Sequence, residues 1–198
     1  MLLLETLKIE NRNPKNLIFH QQRMNKSQIQ LFGKSSEINL VEMLQNLPEN
    51  LTNQVYKCRI VYDTEIQKIE FIPYTPLRIQ SLKLVFSDNL DYSLKYENRS
   101  ELQNLTTQKG DCDDILICQN HQIRDTSYAN IVFWDGKKWL TPKTPLLEGT
   151  QRAFLLTTQQ IFEAKITVSD LLKFKFARII NAMLEFNAPI FSIQNIQF

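Results

Sequence analysis

The chain has 198 residues, 43% of them apolar, and a formal net charge of +2 from 23 basic and 21 acidic side chains. That apolar content can bury a sizeable core in one large domain or two small ones, which excludes a disordered chain. The charge is balanced and no basic cluster alternates with aromatics, so nucleic acid is not an expected partner. The apolar opening Met1-Leu2-Leu3-Leu4 is interrupted by Glu5 and Lys8, too early for a secretory segment, and no later run is long enough to span a bilayer. A cytoplasmic chain without a membrane partner is expected. Cys58, Cys112 and Cys118 match no zinc spacing, and the two histidines, His20 and His121, stand far apart in sequence. No metal site is expected, and the cysteines read as small buried hydrophobes in a reducing compartment.

In chain order, Leu3 to Glu10 alternates loosely, Asn11-Arg12-Asn13-Pro14 signals a turn, and Asn16 to Phe19 resumes an extended run, which together predict a hairpin. His20 to Phe32 fits helical spacing and Gly33 stands where a C-cap glycine would. A second helix is predicted over Leu40 to Leu47, then strands over Tyr56 to Tyr62 and Lys68 to Tyr74. Pro73-Tyr74-Thr75-Pro76 holds the chain extended and denies a ladder its donors, so the boundary is placed there: a small α+β domain over 1–75 and a larger, β-rich domain over 76–198. The second domain is predicted to hold a strand at Ser81 to Phe86, a loop carrying Lys95 and a helix near Ser100 to Lys109. Strands then follow at Asp114 to Cys118, Ile131 to Trp134 and Trp139 to Thr141. Asp135-Gly136 is a hairpin signal, and Leu147-Glu148-Gly149 leads into a helix carrying Arg152.

Three features of this pattern carry chemistry. Lys95 offers an amine, Asp125 opens an acidic Asp-Thr-Ser-Tyr-Ala-Asn turn ending at Asn130, and Leu147 to Arg152 brings backbone N–H groups to a helix start. A pyridoxal-phosphate site needs an amine to hold the aldehyde, a carboxylate to keep the pyridine nitrogen protonated, and N–H groups with an arginine to hold the phosphate. Lys83, on a neighbouring strand, is a rival amine. Arg59, on the strand predicted over Tyr56 to Tyr62, has Asp63 and Glu70 as candidate ion-pair partners.

The chain resembles the class IV aminotransferases, the fold-type-IV pyridoxal-phosphate enzymes. The matching pieces, in order, are Leu4-Glu5-Thr6, His20-Gln21-Gln22-Arg23-Met24, Lys95, Asp125-Thr126-Ser127-Tyr128-Ala129-Asn130, Thr141-Pro142 and Leu147-Glu148-Gly149-Thr150-Gln151-Arg152. The resemblance implies an α+β fold of two domains, a small N-terminal α/β sandwich and a C-terminal β-rich pseudobarrel with helices. It implies pyridoxal 5'-phosphate as cofactor, Lys95 as its Schiff-base lysine, and Arg23 as a phosphate ligand. Asp125, where the family usually has Glu, becomes the partner of the ring nitrogen, and Ser127, Asn130, Thr150 and Gln151 become further cofactor contacts. The substrate would be small and amino-acid-like, and Arg59, near the place where the family grips the substrate carboxylate, is a candidate for that contact or pairs with Asp63 or Glu70 instead.

The compact chain is more similar to the 4-amino-4-deoxychorismate lyase branch than to the longer branched-chain enzymes. That branch releases 4-aminobenzoate and pyruvate in folate biosynthesis. A branched-chain or D-amino-acid type aminotransferase is the alternative, and a shortened non-catalytic relative is a third. The N-terminal strands and C-terminal segment look abbreviated beside the family's, so a homodimer is expected, with Phe174, Phe176, Phe186 and Phe191 offering apolar material for the contact.

Overall fold

A computed structural model describes residues 1–35 and 37–198 of the chain. They form two compact units: Met1–Pro76 with Leu94–Asn98, and Leu77–Ser93 with Arg99–Phe198.

The first unit contains β1 (Leu3–Glu10), β2 (Asn13–Pro14), α1 (Leu17–Phe32), α2 (Leu40–Met43), β3 (Tyr56–Tyr62) and β4 (Ile66–Pro73). Its sheet runs β2-β1-β3-β4, with β1 antiparallel to β3 from Leu3 opposite Tyr62 to Ile9 opposite Tyr56. Alternation puts Leu3, Leu7 and Ile9 on one face with Tyr56, Cys58, Ile60 and Tyr62, where they form a core with Met24 of α1. The run Asn16 to Phe19, expected as strand, is the start of α1 instead. Asn16 is left-handed (φ 54°, ψ 30°) and turns the chain, after which Leu17, His20, Met24, Gln28 and Leu31 recur at helical spacing. Gly33, at φ 77°, ends α1 and donates its N–H to the Ile29 carbonyl. The second helix is shorter than its expected span to Leu47. Asn39 caps its start, and Arg12 donates to the carbonyls of Leu47, Pro48 and Leu51, fixing the stretch beyond it as loop.

The segment with Lys95 was expected in the second domain, yet Leu94–Asn98 belongs to the first unit. Leu4 N–H donates to the Lys95 carbonyl at 2.8 Å and Glu97 N–H to the Leu2 carbonyl at 3.0 Å, so this stretch borders β1 as a short extension of the sheet. Leu94 is buried in the core of that unit.

The second unit contains β5 (Leu82–Phe86), α3 (Ser100–Thr106), β6 (Asp114–Gln119), β7 (Gln122–Thr126), β8 (Asn130–Trp134), β9 (Trp139–Pro142), α4 (Thr150–Thr157), β10 (Phe162–Ala164), β11 (Phe176–Ile180), β12 (Phe191–Ser192) and β13 (Ile196–Gln197). One sheet runs β13-β5-β6-β7 and the other β10-β9-β8-β11-β12. Leu82, Leu84 and Leu116 of the first share a core with Ile131, Phe133, Ala177 and Ile179 of the second. β7 is an element the sequence reading lacks, and it makes Asp125 a strand residue rather than the opening of a turn. Phe174 and Phe191 are core side chains, Phe174 stacking on Phe133 at 5.1 Å, so they do not supply the expected contact surface. Phe186 lies edge-on to Trp139, and the two rings flank the Arg178 guanidinium at 4.8 and 4.9 Å. Phe176 is exposed.

Candidate active site

In the first unit an ionic cluster is built between β1 and α1. Glu5 sits on the inward face of β1, otherwise formed by Leu3, Leu7 and Ile9, and is completely buried. A buried carboxylate is tolerated only when its oxygens are paired. Oε1 accepts from Arg23 Nε at 2.8 Å, and Oε2 accepts from Arg23 Nη2 at 2.5 Å and from His20 Nδ1 at 2.6 Å. His20 and Arg23 reach the same partner because they lie three residues apart on α1 and share one face. Burial works to raise the Glu5 pKa, but the Arg23 charge and the His20 hydrogen bond outweigh it and hold the carboxyl at about 2. His20 is driven below the usual histidine value, chiefly by burial, against the pull of Glu5 and with the Arg23 and Lys95 charges adding to the fall. An uncharged ring beside a carboxylate carries its proton on Nδ1.

Lys95 is half-buried beside β1 and close enough for its charge to act on His20. The rival amine, Lys83, sits on β5 and donates to the Phe198 carbonyl at 2.5 Å. Arg59 faces Thr6 on one side and Glu70 on the other in the strand register. Its Nη1 donates to Glu70 at 2.8 Å and its Nη2 lies 3.8 Å from Glu97, which settles Glu70 rather than Asp63 as its neighbour.

The second unit gathers Asp125, Ser127, Asn130, Gly149, Thr150 and Gln151. Asp125 is buried on β7, where Oδ1 accepts from Asn130 Nδ2 at 2.8 Å and Oδ2 from the Leu147 N–H at 2.9 Å. Burial pushes its carboxyl up to about 6, with the Leu147 N–H, Asn130 and Arg152 offsetting part of the rise. The same Asn130 amide donates to the Leu147 carbonyl at 2.9 Å, tying β7, β8 and the loop before α4 together. Gly149 caps α4, and a Cβ there would collide with Asn130 Oδ1. With Asn130 fixed by two hydrogen bonds, only glycine lets the helix start this close to the carboxylate. Thr150 and Gln151 open α4 as buried residues, in the first turn where N–H groups have no intrahelical acceptor. Arg152 donates from Nη2 to the Pro142 carbonyl at 2.9 Å and to Glu163 at 2.7 Å, which makes it a structural tie. Ser127 is held through its backbone: its carbonyl accepts from Arg99 Nη2 at 2.6 Å, and its N–H donates to the buried Asp114 carboxyl at 3.3 Å.

Arg23, Asp125 and Asn130 are site candidates from sequence, whereas Glu5, His20, Asp114 and Gly149 carry no assigned role there. The signal for Glu5 was there, an acid at the alternate positions otherwise held by Leu3, Leu7 and Ile9. Its partners lie 15 and 18 residues away and only folding identifies them.

Four similarities place the chain among known proteins. The model of the class IV aminotransferase family matches residues 2–193. An uncharacterized protein of Haemophilus influenzae is 42% identical over 183 residues, covering 91% of this chain and 97% of that protein. A crystal structure named "putative 4-amino-4-deoxychorismate lyase", from Haemophilus somnus, superposes with a TM-score of 0.84 at 36% identity, covering 92% of this chain and 96% of the other. A hypothetical aminotransferase from Mycobacterium tuberculosis in its PLP-bound form shares the fold at a TM-score of 0.76 and 15% identity, over 92% of this chain and 78% of its own. Glu5 to Gln151 thus lie inside one matched region, and the chain belongs to the class IV aminotransferase family, whose members are pyridoxal-phosphate-dependent enzymes.

Proposed function

We propose that this enzyme is a 4-amino-4-deoxychorismate lyase-like protein that releases 4-aminobenzoate and pyruvate. The carrying observation is likeness over nearly the full length of both chains to the Haemophilus somnus protein, at 36% identity. Residue chemistry supports a pyridoxal-phosphate site. The buried Asp125, with a pKa near 6, suits a partner for a pyridinium N–H better than an exposed acid would. The glycine-limited start of α4 offers backbone N–H groups and a positive dipole end to a phosphate, with Thr150 and Gln151 in its first turn.

In this reading Lys95 would hold the cofactor aldehyde and, as a free amine, would take the proton from the substrate's α-carbon. Asp125 would keep the ring nitrogen protonated, Asn130 fixes Asp125, Ser127 would be a further cofactor contact, and Arg23 would take the phosphate. Bound there, the cofactor supplies an electron-accepting ring that stabilises negative charge at that carbon. Arg59 is the candidate for the substrate carboxylate, which would then compete with Glu70 for the guanidinium. We place the enzyme in the cytoplasm, where Cys58, Cys112 and Cys118, all buried thiols, stay reduced. Among the described residues no helix is long and apolar enough to cross a membrane.

Two measurements test this. Borohydride reduction of the cofactor-loaded protein, followed by peptide mapping, should place the pyridoxyl mass on Lys95; finding it on Lys83 overturns the assignment. Product analysis with 4-amino-4-deoxychorismate should give 4-aminobenzoate and pyruvate without an added keto acid. Turnover that requires an amino donor and a 2-oxo acid would make the enzyme an aminotransferase instead.

A further inference from the structure

We infer that Glu5 and His20 are positioning residues that hold Arg23 in a single orientation, so that it recognises a phosphate as a fixed fork rather than as a mobile charge. The inference rests on the reading of Arg23 as the phosphate ligand. Electrostatics alone argues against placing a carboxylate here, because Glu5 cancels the arginine's charge and so weakens its pull on any anion. The geometry gives the opposite reason for its presence. Glu5 grips Arg23 through both Nε and Nη2, at 2.8 and 2.5 Å, and this edge-on fork fixes the plane of the guanidinium. His20, at 2.6 Å, holds the same carboxylate from another side, so Glu5 cannot swing with the arginine. All of this is buried, with only 11% of the Arg23 side chain exposed, and burial keeps His20 neutral, so that the cluster gains a donor without a second cation. A flexible arginine must be ordered each time it binds, whereas one ordered by its own protein has met that cost on folding.

The two effects predict opposite signs for Glu5→Gln, which keeps the shape and removes the charge. Affinities of the cofactor-free protein for pyridoxal phosphate and for pyridoxal, which lacks the phosphate, would be measured by equilibrium dialysis. Their ratio reports phosphate recognition and cancels general damage to the fold. If Glu5 positions Arg23, the ratio falls about tenfold in Glu5→Gln while pyridoxal affinity holds. A ratio that is unchanged or higher, or equal losses for both ligands, overturns the inference. Should that variant fail to fold, His20→Leu removes one of the two donors to Oε2 and is judged by the same ratio, which must also fall. Arg23→Ala separates the two readings. If it leaves the ratio intact, Arg23 is not the phosphate ligand; if it collapses the ratio while Glu5→Gln does not, only the positioning role fails.

Discussion

Asp125 binds its proton more tightly in the folded chain than an ordinary aspartate does, with a pKa near 6 against 3.8. The sign follows directly. A carboxyl whose folded pKa is raised contributes stability below about pH 4 and loses it as pH rises through about 6. Glu5 acts in the other direction: held at about 2, it contributes above its ordinary value of 4.5 and loses that contribution in acid. The groups can be separated with Asp125→Asn, which does not titrate there. For cofactor-free protein, the stability of wild type relative to Asp125→Asn should decline by roughly 2–3 kcal/mol between pH 4 and pH 7. A difference that stays flat would show that Asp125 is not titrating in this window. The same variant, loaded with cofactor, should lose turnover about a hundredfold or more, because an amide cannot hold a ring proton by charge. The candidates Arg23, Lys95 and Asp125 stand in the sequence as residue types in a given order. The Glu5 pairings are not legible there, since a buried ion pair between a strand and a helix leaves no local trace.

Two hairpins turn on asparagine followed by a residue other than glycine. Asn11-Arg12 joins β1 to β2 and Asn120-His121 joins β6 to β7, with φ of 49° and 60° in the first and 51° and 59° in the second. Such tight turns favour Asn-Gly, because a side chain at positive φ is strained by roughly 1–2 kcal/mol. The two second positions should respond differently to glycine. His121 is exposed, so His121→Gly should stabilise the chain by about 1 kcal/mol by removing strain. Arg12→Gly removes the same strain but also the hydrogen bonds to Leu47, Pro48 and Leu51, and should destabilise it. Chemical denaturation of both variants checks the pair, and a gain in both would show that the Arg12 bonds contribute nothing net. This chemistry also explains what the sequence reading missed. β8 and β9 were legible because Asp135-Gly136 marks their turn and Gly136 does adopt a positive φ of 102°. β7 was hidden because histidine occupies the glycine position of its turn. The start of α1 was misread because Asn16 turns the chain with no glycine or proline to announce it.

At the scale of the whole molecule, Leu94–Asn98 breaks the simple order of domains along the chain. The sequence showed the two prolines ahead of Leu77 clearly, but five residues returning to the first unit carry no compositional mark. A homodimer remains our proposal, now with altered grounds. Phe174 and Phe191 are withdrawn into the core, while Leu172, Phe176, Ile190 and Phe198 of the second unit are exposed apolar side chains of the kind an interface covers. Sedimentation at micromolar concentration should give a dimer, and a monomer with full specific activity would end the idea of a site shared between subunits.

Both tryptophans of the chain, Trp134 and Trp139, stand opposite each other on β8 and β9 with ring centroids 5.4 Å apart. Trp139 also meets Phe186 and the Arg178 guanidinium. Tryptophan emission, excited selectively, therefore originates wholly in the second unit. A melt followed by tryptophan emission would record the loss of that hairpin and stay blind to the unit that carries Glu5, Arg23 and Lys95. The four tyrosines of the first unit, Tyr56, Tyr62, Tyr74 and Tyr96, make their absorbance the complementary optical signal. Coincidence of the two traces would mean that the units unfold as one cooperative body, and separation that each has a melting point of its own.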